Sequence, residues 1–278
     1  MRYASERTAY GYSKNTIFQE RRKRSVIPDI LPYLLLIFAL DVSRSMLGDG
    51  ARHLTEAMNS ILSAAKASDT ADHILVGLIL FNDRIVKQIP PTPIQQFTMP
   101  AISPDGYTDL GLAVNEMMTM AKKWKDDFAA DYDKKRFCPN LLLITDGEPC
   151  LDEKSDRDPV AEYRRIADSA REASVTTKEQ SGLGSDQHHF HIVPIACGNA
   201  NRELLKQLRP DHKIIDAGDT DGLREALAKL AGSIPQTARA NADILTVAEA
   251  HEAQKVVCVT DPNDIKKELE SLLDALND

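Results

Sequence analysis

Three uninterrupted apolar runs, each halting at an oxygen-rich loop, constrain this chain more than any other feature. Tyr33 to Leu40 runs into Asp41, Ile74 to Phe81 into Asn82-Asp83, and Leu141 to Thr145 into Asp146-Gly147. A strand with one wet face alternates apolar and polar residues. A strand with no alternation must be covered on both faces, as in the centre of a parallel sheet. Amphipathic stretches separate the runs. Ala51 to Lys66 places Leu54, Met58, Ile61, Leu62 and Ala65 at helical spacing, and Leu110 to Phe128 puts Leu112, Val114, Met117, Met118 and Ala121 on one face.

The remaining elements follow the same alternation. Asn82-Asp83 reads as a tight turn into Ile85 to Ile89, an antiparallel edge strand, followed by a proline-rich loop from Pro90 to Pro104. Pro159 opens a helix running to about Ala173, since proline is well tolerated in a first helical turn. Ser174 to Gln187 reads as a surface loop, His189 to Ala196 as a strand and Asn201 to Leu208 as a short helix. Lys213 to Asp216 reads as a last short strand, and Asp219 to Gly232 as a helix. The predicted fold is α/β: a doubly wound, mostly parallel sheet with one antiparallel edge strand and helices on both faces. In such sheets the binding crevice is built by the loops at the carboxyl ends of the strands.

Those loops carry oxygen ligands. Asp41, Ser43 and Ser45 alternate in the loop after the first strand, Thr108 stands in Gly106-Tyr107-Thr108-Asp109 ahead of a helix, and Asp146 follows the third apolar run. Five oxygen donors with no His or Cys suit a hard cation, Mg²⁺ or Mn²⁺. With only two carboxylates the ion stays electrophilic and keeps a position for an outside carboxylate. Asp49, Asp105 and Asp109 lie near the same rim and read as helix caps or solvated loop acids. His188, His189, His191 and Cys197 lack a second ligand pair at zinc-finger spacing and read as ordinary strand-end residues. The sequence has no GxSxG, HExxH or P-loop, and no histidine near Ser43 to activate it, so the reading is a non-enzyme.

The pattern DxSxS…T…D, in this order and at strand ends, resembles the metal-ion-dependent adhesion site of von Willebrand factor A domains. The resemblance runs from about Leu31 to about Ile234. It implies that Ser43, Ser45 and Thr108 contact the metal directly or through water, and that Asp41 and Asp146 act largely through water. The segments LPYLLLIFALDVSRSM, DGYTDLGLAV and LLLITDGEP are similar to those of bacterial cytoplasmic members of the tellurite-resistance-associated TerY type. That likeness implies work beside Ser/Thr kinases and phosphatases in stress-response, signalling or defence systems. Arg44 stands where DxSGS is usual and places a cation beside the site, expected to face Glu148.

Charge divides the chain into parts. Residues 1–30 hold seven basic and three acidic side chains, about +4, leaving about −12 on the rest of a chain of net charge −8. This acidity argues against a nucleic-acid binder. The run from Leu31 to Leu40 is too short for a membrane span and ends in Asp41, so a buried strand is expected there and no membrane association. Four scattered cysteines read as reduced, mostly buried thiols of a cytoplasmic protein. The expected organisation is a basic arm (1–30), an A-type domain (31–235) and a C-terminal extension (236–278) holding a short strand, Lys255 to Thr260, and an amphipathic helix with Ile265, Leu269, Leu272, Leu273 and Leu276. The function expected is metal-dependent binding of an acidic residue of a protein partner. The alternatives are a scaffold with a vestigial site that binds through its termini, and, less favoured, a metal-dependent hydrolase.

Overall fold

The structure is a computed structural model, and it describes residues 34–128, 139–173, 190–219, 222–231 and 234. The basic arm, His188, His189, Cys138, Cys258 and the C-terminal extension lie outside the described residues.

Six strands form one sheet in the order β3-β2-β1-β4-β5-β6. They are β1 (Leu34–Asp41), β2 (Ile74–Phe81), β3 (Ile85–Pro93), β4 (Asn140–Thr145), β5 (His191–Ala196) and β6 (Ile215–Asp216). All neighbouring pairs are parallel except β2–β3. The fold is the doubly wound, mostly parallel α/β sheet with one antiparallel edge strand that the apolar runs predict. Every residue of β1, β2, β4 and β5 is buried.

Burial on both faces splits each strand by its period of two. Leu34, Leu36, Phe38 and Leu40 of β1 enter one core cluster with Leu54, Met58 and Ile61 of helix α1 (Asp49–Lys66) and Leu223, Leu227 and Leu230 of the helical residues 222–231. Leu35, Ile37 and Ala39 enter the other, with Val114, Met117 and Ala121 of α2 (Leu110–Phe128) and Tyr163, Ala167 and Ala170 of α3 (Pro159–Ala173). Helices therefore cover both faces, and each has a side-chain start signal or a favourable first turn. Asp158 accepts from the Val160 and Ala161 amides at 3.0 Å each, directly before Pro159. Asn201 accepts from the Leu204 amide at 3.1 Å and starts the short α4 (Arg202–Leu205).

Two details depart from the sequence expectation. The edge strand does not stop at Ile89 but runs through Pro90, Pro91 and Pro93. An edge strand tolerates prolines, and the register shift opposite Val76 and Leu78 absorbs two of them. On α2 the buried stripe is Leu110, Ala113, Val114, Met117, Met120, Ala121 and Trp124, while Leu112 and Met118 are half-buried at its margin. The expected face was rotated because Met120 and Trp124, four apart, point inward. Met120 fills the space over Gly77, where a Cβ would come within 2.8 Å of its sulfur.

The chain winds outward from β1 in both directions, with β2 on one side and β4 on the other. The loops after β1 and β4 leave the sheet side by side at this reversal point, where open α/β sheets form their crevice.

Candidate metal centre at the crest of the sheet

Asp41 is the last residue of β1 and is fully buried. Its Oδ1 accepts from the Ser43 amide at 2.9 Å, and its Oδ2 accepts from the Thr145 hydroxyl at 2.6 Å. Ser43 and Ser45 follow in a single 3₁₀ turn whose geometry brings their hydroxyls to 2.9 Å of each other. The Ser45 hydroxyl donates to Asp146 Oδ1 at 2.7 Å, which ties the β1 loop to the β4 loop.

Thr108 reaches the same place from a third loop. Its backbone forms a two-bond antiparallel bridge with Cys150, at 3.0 and 2.9 Å. The next residue, Asp109, is fixed three ways. Its amide donates to the Asn82 carbonyl at 2.9 Å, its Oδ1 accepts from the Leu112 amide at 2.9 Å as the cap of α2, and its Oδ2 takes Arg157 at 2.9 Å. Arg157 is anchored in turn on Glu162 of α3.

The five expected residues thus converge, and the space between them is visible at Gly147. A Cβ on Gly147 would stand 3.1 Å from Thr108 Oγ1 and 3.8 Å from both Asp41 Oδ2 and Ser45 Oγ. Oxygens from the β1 loop and from the Thr108 loop face one small cradle that a glycine of the β4 loop leaves open. Two carboxylates and three hydroxyls form a hard donor set matching the oxygen preference of Mg²⁺ and Mn²⁺. Among the described residues no group of three or more His, Cys, Asp or Glu side chains forms an alternative metal cluster.

Burial raises the Asp41 carboxyl to about 6, against the opposing hydrogen bonds from Ser43 and Thr145. Asp146 is also raised, again first by burial, with Ser45 opposing. Two carboxyls are therefore held in a site that favours neutralising them, which a cation does as well as a proton. Behind them Cys197 is pushed up to about 12, chiefly by burial and then by Asp146 and Asp41, and stays a neutral thiol with its sulfur 3.4 Å from the Thr145 carbonyl oxygen.

Gly147 provides a direct check. Its backbone lies outside the left-handed region, so alanine is conformationally acceptable there. Gly147→Ala is expected to fold normally but to lose its response to divalent cations, because a methyl fills the cradle without removing any ligand. Circular dichroism for the fold and thermal melts with Mg²⁺ against EDTA would measure the two effects separately.

Several sequence expectations are corrected here. Arg44 faces Asp105 at 3.6 Å and not Glu148, because the two loops are joined by the Asp105 amide to Val42 oxygen bond at 2.9 Å and the Arg44 amide to Gly106 oxygen bond at 3.2 Å. Asp109 is a cap as expected but is buried, not solvated. Asp49 and Asp105 are exposed and pair with Arg52 and Arg44. Cys150 is exposed, contrary to the buried reading, while Cys197 is buried. His191 begins β5 and Cys197 follows its end, about 20 Å apart at strand rise, so the two cannot share a zinc ion. Sequence reasoning missed Thr145 and Arg157. Thr145 could have been found as the one hydroxyl in an apolar strand, placed immediately before Asp146. Arg157 carries no such signal.

The sequence model of the von Willebrand factor type A domain family matches residues 36–229. No curated protein matches at a significant level. Among solved structures, the chain is similar to a variant of the PilB minor pilin from Streptococcus sanguinis, at 13% identity over 81% of this chain and 65% of that one, with a TM-score of 0.50. It is also similar to the ArnB paralog VWA2 from Sulfolobus acidocaldarius, at 17% identity over 72% and 45%, TM-score 0.42. A third is the SpRpn10 VWA domain, at 12% identity over 72% and 95%, TM-score 0.44. The chain spans less than two thirds of the length of the pilin and of the ArnB paralog. At these identities the likeness concerns the fold alone.

Proposed function

We propose that this chain, which belongs to the von Willebrand factor type A domain family, is a protein-binding module that holds one Mg²⁺ or Mn²⁺ at its crest and presents it to an Asp or Glu of a partner. Domains of this family are commonly protein-interaction modules. The observation that carries the metal reading is the convergence of Asp41, Ser45 and Thr108 oxygens on the cradle at Gly147, with Ser43 and Asp146 joined to them by hydrogen bonds. When bound, the ion supplies an electrophilic coordination position. The chain's own part is to fix five oxygens on three loops, and to keep hydroxyls rather than further carboxylates among them so that the ion's charge is not quenched.

The reading is of binding, not catalysis. Ser43 is 2% exposed, and its hydroxyl is engaged by the Ser45 hydroxyl at 2.9 Å and by the Asp41 carboxylate, a far weaker base than the histidine that usually activates a serine nucleophile. The motif likeness to TerY-type members supports a place in a bacterial cytoplasmic stress-response, signalling or defence system, such as tellurium resistance, with a Ser/Thr kinase or phosphatase as the partner class. Among the described residues no helix is long and apolar enough to cross a membrane.

Partner capture tests the reading. Immobilised wild type is expected to retain a partner in Mg²⁺ and release it in EDTA, and Thr108→Ala is expected to retain none. Capture that persists through both chelation and Thr108→Ala would sink it.

Acid should weaken the metal. Asp41 titrates near 6 in the metal-free fold, above its unfolded value of 3.8. This carboxyl therefore favours the metal-free folded state fully below pH 3.8, and that contribution is lost as pH rises through 6. Metal binding needs the ionised form and runs the other way. The difference in melting temperature between Mg²⁺ and EDTA is expected to be full at pH 7.5 and to shrink steadily below about pH 6. A difference that is flat from pH 7.5 to 5 would count against Asp41 as a ligand.

A further inference from the structure

We propose that the rim of this site is a second anion receptor, so that the partner segment it takes carries two acidic residues close together beside an aromatic or aliphatic one. This rests on the metal-assisted reading above and specifies its ligand.

The argument begins with Arg44. It sits between Ser43 and Ser45, so its backbone is anchored within one residue of two of the site's hydroxyls. Its side chain is 72% exposed. Among the described residues it makes one ion pair, with Asp105 at 3.6 Å, and no side-chain hydrogen bond. Guanidinium offers five donors in a planar fork suited to a carboxylate. One oxygen beyond hydrogen-bond distance, on a carboxyl group itself 66% exposed, leaves that capacity nearly unused. Such an exposed pair contributes little to stability, so exchanging or extending it costs the protein little.

Besides Asp105, two exposed apolar residues stand close to Arg44 along the backbone. The exposed large hydrophobic side chains of the described residues are Leu47, Val86 and Tyr107, and two of the three stand on this rim. Leu47 is 58% exposed and its amide donates to the Arg44 carbonyl at 3.1 Å. Tyr107 is 40% exposed and adjoins both Gly106, which holds the Arg44 amide, and Thr108. The Arg44 amide to Gly106 oxygen bond at 3.2 Å brings the backbone of the Tyr107 loop against that of Arg44. A chain of net charge −8 thus shows, in the loops beside the cradle, a loosely held cation whose backbone neighbours include an exposed aliphatic and an exposed aromatic residue. The complement of that arrangement is a short acidic segment: one carboxylate for the metal, a second for Arg44, and a neighbouring apolar side chain against Leu47 and Tyr107. Basic or phosphate-free neutral segments leave Arg44 unanswered, so charge complementarity selects the acidic class.

The test is selection from a displayed library of random dodecapeptides on the full chain, in Mg²⁺ and in EDTA, with wild type, Arg44→Gly and a Leu47→Ser/Tyr107→Ser double variant. Wild type in Mg²⁺ is expected to enrich peptides with two nearby acidic residues and an adjoining aromatic or aliphatic one. Arg44→Gly is expected to retain Mg²⁺ dependence and one acid but lose the second, and the double variant to lose the apolar preference. In fluorescence anisotropy on a selected peptide, replacing the second acid by its amide should weaken binding about tenfold on wild type and less than about twofold on Arg44→Gly. An equal loss on both proteins overturns the receptor role of Arg44 while leaving the metal reading intact. Peptides that bind wild type equally in EDTA overturn the metal reading itself, and enrichment without acidic residues overturns both.

Discussion

Asp41→Ala is expected to abolish the stabilisation that Mg²⁺ or Mn²⁺ gives the wild type, while leaving the metal-free protein nearly as stable as before. For the wild type, ion at about a hundred times its dissociation constant adds roughly 2.7 kcal/mol, which for a domain of this size raises the melting temperature by about 5–10 °C. The variant should show no shift. The metal-free half of the prediction follows from burial. A carboxyl raised from 3.8 to about 6 costs roughly 3 kcal/mol to ionise at neutral pH, and alanine removes that cost. Against it stand the Thr145 hydroxyl and the Ser43 amide, each left without the acceptor it has at 2.6 and 2.9 Å. Orphaning each costs about 1–3 kcal/mol, so the two effects nearly cancel. Differential scanning fluorimetry in EDTA and in excess Mg²⁺ separates the halves. A variant equally destabilised in both media would mean that Asp41 is a structural hub and not a metal ligand.

The way these five residues come together shows what can be read from a sequence of this kind. Asp41 and Asp146 were legible because each terminates an apolar run, and strand order then makes their loops neighbours. Ser43 and Ser45 were legible from alternation with Asp41. Thr108 is harder, since its approach depends on tertiary contacts: the bridge to Cys150, the cap by Asp109 and the Arg157 tether. None of these leaves a periodic trace. Arg157 lies 48 residues from Asp109 in a polar stretch, where any arginine would look like surface charge. The misassigned partner of Arg44 has the same cause. Glu148 and Asp105 are both exposed loop acids, and only the backbone bonds between the loops at 42–44 and 105–106 decide which one it meets.

Element boundaries failed where propensity and context pull apart. Prolines argue against a strand, yet Pro90, Pro91 and Pro93 extend β3 because it has a partner on only one side and a bulge to hold them. On α2, Leu112 and Met118 are as apolar as the residues that are buried, so hydrophobicity alone could not fix the helix rotation. Gly77 fixes it, by leaving a hollow on β2 that Met120 fills.

Phe38→Ala should have the largest effect on stability, and it should spare the site. Phe38 is fully buried in the central strand, with β2 and β4 bonded on either side, and it points into the core beneath α1 and the helical residues 222–231. Truncating such a ring removes its transfer free energy and leaves a cavity that two flanking strands and a helix layer cannot collapse to fill. The cost is about 3–5 kcal/mol, a fall in melting temperature of about 10 °C or more. Its neighbours Ile37 and Ala39 point to the opposite core, so the loss is confined to one face. Asp41 lies three residues on, and its carboxylate is held by Ser43 and Thr145 rather than by the ring. The Mg²⁺-minus-EDTA difference should therefore survive in the variant, although both melts occur at lower temperature. Urea unfolding in the two media measures this. A cost below about 1 kcal/mol would contradict the central placement of β1, and a large cost with loss of the metal difference would mean that the crest is not mechanically separate from the core beneath it.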